Sequence, residues 1–345
     1  MKRGDSLSKQ LKSRVSEKPK SDNDVYEGNF KTIVSTGSTL LDLIISGRRV
    51  RGGGIPTGIF VEIYGPESSG KTALLCEIGG NVQKINGTVR YLDPEGRIDN
   101  QYAQMFGISL DESNCSQPDT VTEVFQLIRD WKPEGEGPHC ILTDSLAALS
   151  TDTELSKEEG DKMGGRRAKE FSEGLRKTCR ILKSKNYLLV ASNQLRDTFA
   201  TFGKKQDSPG GKAIRFYASL RLETNIIGWV TKEKSLNGKT VKRTTGVKTE
   251  ITVVKSSVGK PKGTAPVTII FDYGIDNIRD SLQYIKDNTE NKVYTLRDKS
   301  LGISLEKAIR YIEDNNLEND LREEVITLWE EIESKFDSDR KPKNP

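Results

Sequence analysis
The sequence predicts an α/β fold in which a mainly parallel, twisted sheet carries helices on both faces, followed by a small α+β unit. Three observations lead there. The stretch Gly65-Pro66-Glu67-Ser68-Ser69-Gly70-Lys71-Thr72 follows the apolar run Ile59, Phe60, Val61, Ile63 and precedes the helix-like Ala73, Leu74, Leu75, Ile78. Strand, glycine loop and helix in that order make the context of a phosphate-binding P-loop. Beyond it, apolar strands alternate with helical patterns, as a parallel sheet with crossover helices requires. From about Ile275 the chain turns to charged helices with single apolar faces.

Taken in order, residues 1–29 are rich in Lys, Ser, Asp and Glu and read as a mobile arm, with a short helix using Leu7, Leu11 and Val15. Residues 30–275 are the expected core. Leu40, Leu41, Leu43, Ile44 and Ile45 mark a buried helix ending near Gly47, and Gly52-Gly53-Gly54 leads into the P-loop strand. Strands follow at Val89 to Leu92, His139 to Thr143, Tyr187 to Ser192 and Leu220 to Leu222. Between them Val121, Val124, Phe125 and Ile128 recur at the spacing of one helical face. Strands at Ile251 to Lys255 and Val267 to Phe271 have no helix between them and predict an antiparallel extension. Residues 276–345 form the expected small C-terminal domain and basic tail, with apolar faces Leu305, Ala308, Ile309, Ile312 and Leu321, Val325, Leu328, Trp329, Ile332. Glu330, Glu331 and Glu333 read as a solvated helix face.

Composition narrows the function classes. With 345 residues, 34% hydrophobic and 30% charged, the chain holds one large core and a smaller unit. The formal net charge is only +4, so affinity for nucleic acid must come from local basic clusters. Cys76, Cys115, Cys140 and Cys179 are widely spaced and His139 is the sole histidine, which argues against structural zinc and a disulfide framework. No apolar run approaches a membrane span and no hydrophobic signal region opens the chain, so the expectation is a cytoplasmic protein with no membrane partner.

The chemistry centres on the glycine loop. Gly65 and Gly70 lack a Cβ, so the backbone can turn tightly and aim amide N–H groups at a polyphosphate, helped by the helix N-terminus. Lys71 then reaches the β/γ-phosphates and Thr72 places its hydroxyl on a bridging Mg²⁺. The strand His139 to Thr143 runs into Asp144, on the sheet edge that also carries the P-loop, where a carboxylate can serve the Mg²⁺ shell or cap a helix. Another strand runs into Asp93-Pro94-Glu95, and Glu95 is the better placed carboxylate to orient or deprotonate water, with Asp93 the alternative. Two loops fall at the same edge: Ser156 to Arg167, SKEEGDKMGGRR, and Leu195 to Gly211, LRDTFATFGKKQDSPGG. The second interleaves Arg196, Phe199, Phe202, Lys204 and Lys205. Cations that track phosphates, with rings that stack bases, suit a single strand.

At these residues the chain resembles the bacterial RecA recombinase family. The matching stretches are STGSTLLD at 35–42, VEIYGPESSGKT at 61–72, CSQPDT at 115–120, TDSLAAL at 143–149, NQLR at 193–196 and GGKAIRFYASLRL at 210–222. The resemblance implies a RecA-like P-loop ATPase core with ATP and Mg²⁺ as cofactors. It implies a homo-oligomeric helical filament on single-stranded DNA that pairs with homologous duplex DNA and exchanges strands. It makes Glu95 the residue that activates water and Gln194 the γ-phosphate sensor coupled to the second loop. It places Asp99 and Tyr102 against the adenine. Met163 in the first loop becomes a wedge between bases, Arg166 or Arg167 a contact just beyond it, and Arg176 a DNA-backbone contact. Gly210 and Gly211 close the second DNA loop, and Lys255 reaches the ATP of a neighbouring subunit.

The chain also departs from the family pattern. The first loop is one residue shorter and Ala168 stands where the family has an arginine. Ser257 replaces a second lysine, the N-terminal arm is unlike the family's, and DRKPKNP stands where many members carry an acidic tail. Two other functions share such a core: an accessory protein that binds ATP and a recombinase without exchanging strands, and a hexameric helicase. The intact set Lys71, Thr72, Glu95, Asp144 and Gln194 speaks against the first, and the shape of the assembly discriminates the second.

Overall fold
The computed structural model describes residues 30–111, 113–155, 164–197, 206–207, 211–337 and 340. The expected N-terminal arm, Met163, and Phe199, Phe202, Lys204, Lys205 and Gly210 lie outside them.

One nine-stranded sheet organises the described residues. Across it the order is Gly274–Ile275, Thr264–Ile270, Lys239–Ser256, Leu220–Leu236, Phe60–Gly65, Tyr187–Gln194, His139–Thr143, Thr88–Leu92 and Cys115–Ser116. From Leu220–Leu236 to Cys115–Ser116 every neighbouring pair is parallel; the other three strands join antiparallel. The predicted parallel sheet and its antiparallel extension are both present.

Alternation along the strands sends side chains to two cores, one on each face. Leu188, Val190, Cys140, Leu142, Val61 and Ile63 pack beneath the helices Thr39–Ser46 and Lys71–Lys84. Tyr187, Leu189, Ala191, Ile141 and Phe60 pack beneath Val121–Asp130 and Gly164–Lys185. Leu74, Leu75 and Ile78 of the P-loop helix are essentially inaccessible, and burial stabilises each by about 1.5–3 kcal/mol. Val121–Asp130 begins with a capping box: Glu123 N–H donates to Thr120 Oγ1 at 3.2 Å and Thr120 N–H to Glu123 Oε2 at 3.1 Å. The C-terminal helices Leu305–Asp314 and Glu318–Ser334 add Ile309, Ile312, Leu321, Val325 and Ile326 to the first core.

Two expectations need correction. The strands expected at Leu220 to Leu222 and Ile251 to Lys255 are the roots of a much longer ribbon, 17 and 18 residues, that turns at Asn237-Gly238 with φ of 50° and 77°. Its outer half is polar on both faces, so no apolar period marks it. The acidic face near the C-terminus is not simply solvated. Arg48 Nε donates to Glu333 Oε2 at 2.8 Å and Arg51 Nε lies 3.8 Å from Glu330 Oε1. Glu331 is half-buried as well and lies 3.6 Å from Lys335 Nζ. Such half-exposed pairs contribute about 0–1 kcal/mol each and fix orientation more than stability.

Candidate active site
The P-loop is shaped by what lies behind it. A Cβ on Gly65 would meet Thr224 Oγ1 at 2.1 Å and the Thr224 carbonyl oxygen at 2.3 Å, so the strand next door excludes any side chain there. Gly70 has φ +84° and its Cβ would strike Ile269 Cδ1 at 2.2 Å. Ser69 is buried, its Oγ donating to the Pro66 carbonyl at 2.7 Å. Thr249 Oγ1 donates to the Ser69 carbonyl at 3.1 Å. No side chain caps the helix that starts at Lys71, so its first N–H groups and its partial positive charge are left for an anion. Lys71 Nζ donates to the Gly65 and Pro66 carbonyls at 3.1 and 2.6 Å, and burial holds its pKa below the usual lysine value. Pro66, Glu67 and Ser68 form the exposed rim.

Asp144 emerges from its strand as the sequence predicts. Thr72 Oγ1 donates to Asp144 Oδ2 at 2.5 Å, and Ser192 Oγ donates to Asp144 Oδ1. Burial raises the Asp144 pKa against the opposing pull of these two hydroxyls. Thr72 and Asp144 therefore present a pair of hard oxygens beside the phosphate cradle, the ligand type that Mg²⁺ takes. Among the described residues no cluster of three or more His, Cys, Asp or Glu offers a rival metal site.

Glu95 stands across from this pair. Its Oε1 accepts from Ser145 Oγ at 2.5 Å and from Gln194 Nε2 at 3.3 Å, and its Oε2 lies 2.9 Å from Arg97 Nη1. Glu95, Arg97, Ala147, Ala148 and Gln194 line an open cavity of about 270 Å³. Asp93 points elsewhere: it is buried and its Oδ2 accepts from Ile98 N–H at 2.8 Å, closing the turn after the strand. Of the two carboxylates, Glu95 is the one that lines the cavity. Asp99 caps the helix Asn100–Met105, accepting from Tyr102 N–H at 2.9 Å, and the Tyr102 ring packs at a tilt against Phe106, centroids 5.0 Å apart.

Gln194 ends the strand Tyr187–Gln194, and the chain enters the second loop immediately after it. The loop's two ends meet as a short antiparallel pair, Arg196 opposite Asp207 and Asp197 opposite Gln206. Gly211 then opens the helix Gly211–Tyr217. Beyond the first loop, Arg166 and Arg176 are exposed on the helix Gly164–Lys185. Arg167 instead donates through Nη2 to the Leu146 and Ala147 carbonyls at 3.2 and 2.8 Å, which ties that helix to the turn after Asp144. Lys255 Nζ donates to the Arg215 and Phe216 carbonyls at 2.7 and 2.8 Å, at the C-terminal end of Gly211–Tyr217.

Three residues of the site escape sequence reasoning. Ser192 carried a signal, a hydroxyl at the carboxyl end of a buried strand. Ser145 lies within the TDSLAAL stretch with no role of its own there, and Arg97 belongs to no motif.

The RecA N-terminal domain family matches residues 23–276 of this sequence. The chain belongs to the RecA family. The RecA protein of Legionella pneumophila is 33% identical over 305 residues, spanning 85% of this chain and 83% of that protein. RecA of Borrelia hermsii is 36% identical over 308 residues, 88% and 80% of the two chains, and RecA of Deinococcus radiodurans 33% over 300 residues, 85% and 79%. A RecA-type core explains why one sheet edge gathers the P-loop, Asp144, Glu95 and Gln194. RecA membership makes the chain a DNA-dependent ATPase of the strand-exchange class. Among its described residues no helix is long and apolar enough to cross a membrane.

Proposed function
We propose that this protein binds ATP with Mg²⁺ at the Gly65–Thr72 loop, assembles as a helical filament on single-stranded DNA, and pairs that strand with homologous duplex. The observation that carries the coupling of hydrolysis to DNA is the Gln194–Glu95 hydrogen bond at 3.3 Å. It joins the water-activating carboxylate to the residue from which the second loop departs, so a shift of the loop is felt at Glu95. The loop backbone and Lys71 bind the polyphosphate, and Thr72 and Asp144 would hold the metal ion. When bound, that ion offsets negative charge on the β- and γ-phosphates. Ser145 orients Glu95, whose free lone pairs accept the proton of the attacking water. Tyr102, set by the Asp99 cap, faces the base.

The test separates binding from turnover. Lys71→Ala should lose nucleotide affinity, whereas Glu95→Gln keeps the cradle and should keep affinity while losing at least a hundredfold in DNA-stimulated turnover. Fluorescent-nucleotide titration and steady-state phosphate release read the two quantities. Parental turnover in Glu95→Gln would remove Glu95 from its role.

A further inference from the structure
Arg97 stands on a turn that is pinned from both sides. Asp93, buried at the end of its strand, accepts from Gly96 N–H at 3.1 Å through its carbonyl and from Ile98 N–H at 2.8 Å through Oδ2. One residue thus fixes the backbone before and after Arg97. Gly96 takes φ +62°, a left-handed conformation that glycine adopts without strain. The turn brings the Arg97 side chain back onto Glu95, two residues earlier, where Nη1 lies 2.9 Å from Oε2.

The anchor is rigid and the guanidinium is not. The Arg97 side chain is 79% exposed against 16% for Glu95. Among the described residues Glu95 is its only ion-pair partner, so most of its five N–H donors remain available. A pair this exposed contributes little to stability. The bonds to Asp93 hold the turn, and the ion pair is not needed for that. Its place matters more than its strength. Glu95 Oε1 is committed to Ser145 and Gln194, and Ser145 directly follows Asp144, the partner of Thr72. Lys71 and Asp144 both feel the Glu95 charge. Arg97 therefore puts a movable cation at the cavity that Glu95 and Gln194 line, next to the phosphate cradle.

We propose that Arg97 supplies, from within the same subunit, a cation to the γ-phosphate, and rests on Glu95 until a triphosphate is bound. A triphosphate carries more charge than one carboxylate, and its oxygens match the guanidinium fork. Transfer of Arg97 also unpairs Glu95 Oε2, so one motion places a cation and frees a base. Hydrolysis adds the water oxygen to the γ-phosphorus, passes a water proton to Glu95 and breaks the bond to the bridging oxygen, which leaves with ADP. Negative charge on the γ-oxygens is what a guanidinium offsets in that step. The assignment rests on the ATP-hydrolysis reading above.

The test uses the full chain and two readouts. The first is turnover at saturating ATP on single-stranded DNA. There Arg97→Ala should be about a hundredfold slower than the parent with ATP affinity retained, below the roughly 10³ to 10⁵ of a fully engaged arginine finger because water reaches Arg97. The second is binding of ADP with aluminium fluoride, a mimic of the phosphoryl group in transit, compared with ADP alone. The parent should prefer the fluoride complex, and Arg97→Ala should lose that preference while keeping its affinity for ADP. Arg97→Lys, which keeps the charge without the fork, should recover part of both effects. Turnover of Arg97→Ala at or above the parental rate overturns the proposal, because the pair then does no more than restrain Glu95. An intact fluoride preference in Arg97→Ala, or none in the parent, overturns it as well, as does an equal loss of affinity for ADP and its fluoride complex. The fluoride readout needs no DNA, so a parent without DNA-stimulated turnover fails the recombinase reading while Arg97 is still judged.

Discussion

Asp42 shows how a short motif is held together by one buried carboxyl. The stretch STGSTLLD folds back so that Asp42 Oδ1 accepts from Thr36 N–H at 2.8 Å and Thr36 Oγ1 at 2.7 Å, while Oδ2 accepts from Ser35 Oγ at 2.6 Å. Burial nevertheless outweighs these bonds and raises the Asp42 pKa from 3.8 to about 6. Asp280, which accepts from Thr268 N–H and Thr268 Oγ1 at 2.7 and 2.6 Å, is likewise raised to about 6 by burial. A carboxyl whose pKa is higher folded than unfolded takes up protons on folding, so its contribution is full below about pH 4 and is lost as pH rises through 6. For Asp42 the loss is on the order of 2–3 kcal/mol. In Asp42→Asn this titration is gone. The stability of the parent minus that of the variant, from urea unfolding at each pH, should therefore fall by about that amount between pH 4 and pH 6.5. A constant difference would show that Asp42 titrates alike in both states.

Between elements, buried polar groups do what the apolar pattern cannot. Arg221 on Leu220–Leu236 lies beside Glu62 on Phe60–Gly65, donating Nε–H to Glu62 Oε2, and Asn193 Nδ2 on Tyr187–Gln194 donates to Glu62 Oε1 at 2.9 Å. The guanidinium also covers the Tyr64 ring at 4.4 Å from its centroid. Three parallel strands are thus pinned in register by one carboxylate with no exposure. Arg221→Ala leaves Glu62 buried and unpaired, and thermal or urea unfolding should register a loss of about 3–5 kcal/mol. A loss under 1 kcal/mol would mean that water reaches Glu62. These residues lie inside stretches that resemble the family, yet nothing in their spacing marks them as partners. What the sequence made legible were elements with a period or a motif: the P-loop, the strands entering Asp144 and Glu95, the helices with apolar faces. The distal ribbon has neither, since both its faces meet water; Asn237-Gly238 at its turn suits a two-residue hairpin but does not reveal the length of the strands on either side. Arg97 was hidden for a similar reason: a solvent-exposed side chain follows no pattern, and its 2.9 Å contact with Glu95 exists only once the turn is folded.

At the scale of the whole molecule, Lys255 links three levels. Its ammonium sits on the last carbonyls of Gly211–Tyr217, the helix that follows the second loop, and burial together with the nearby Arg221 lowers its pKa. A cation at a helix C-terminus is worth about 0.3–1 kcal/mol, so the contact is easily exchanged for a stronger one. On the filament reading proposed above, a triphosphate presented by a neighbouring subunit would be such a partner, and a cation supplied there in the transition state is worth roughly 10³ to 10⁵ in rate. Assembly on DNA should therefore draw Lys255 from its own helix to the neighbour's site, coupling the second loop, the subunit contact and turnover. Ser257, whose Oγ donates to the Ser219 carbonyl at 3.2 Å, supplies no second cation. Measured at saturating ATP on single-stranded DNA, Lys255→Ala should lose about three orders of magnitude in turnover with nucleotide binding retained, and Ser257→Lys should raise turnover. The thermal midpoint separates the two roles of the lysine. Normal turnover with a midpoint lowered by a degree or two would leave Lys255 as a helix cap alone, because a cap of under 1 kcal/mol cannot account for a thousandfold effect on rate.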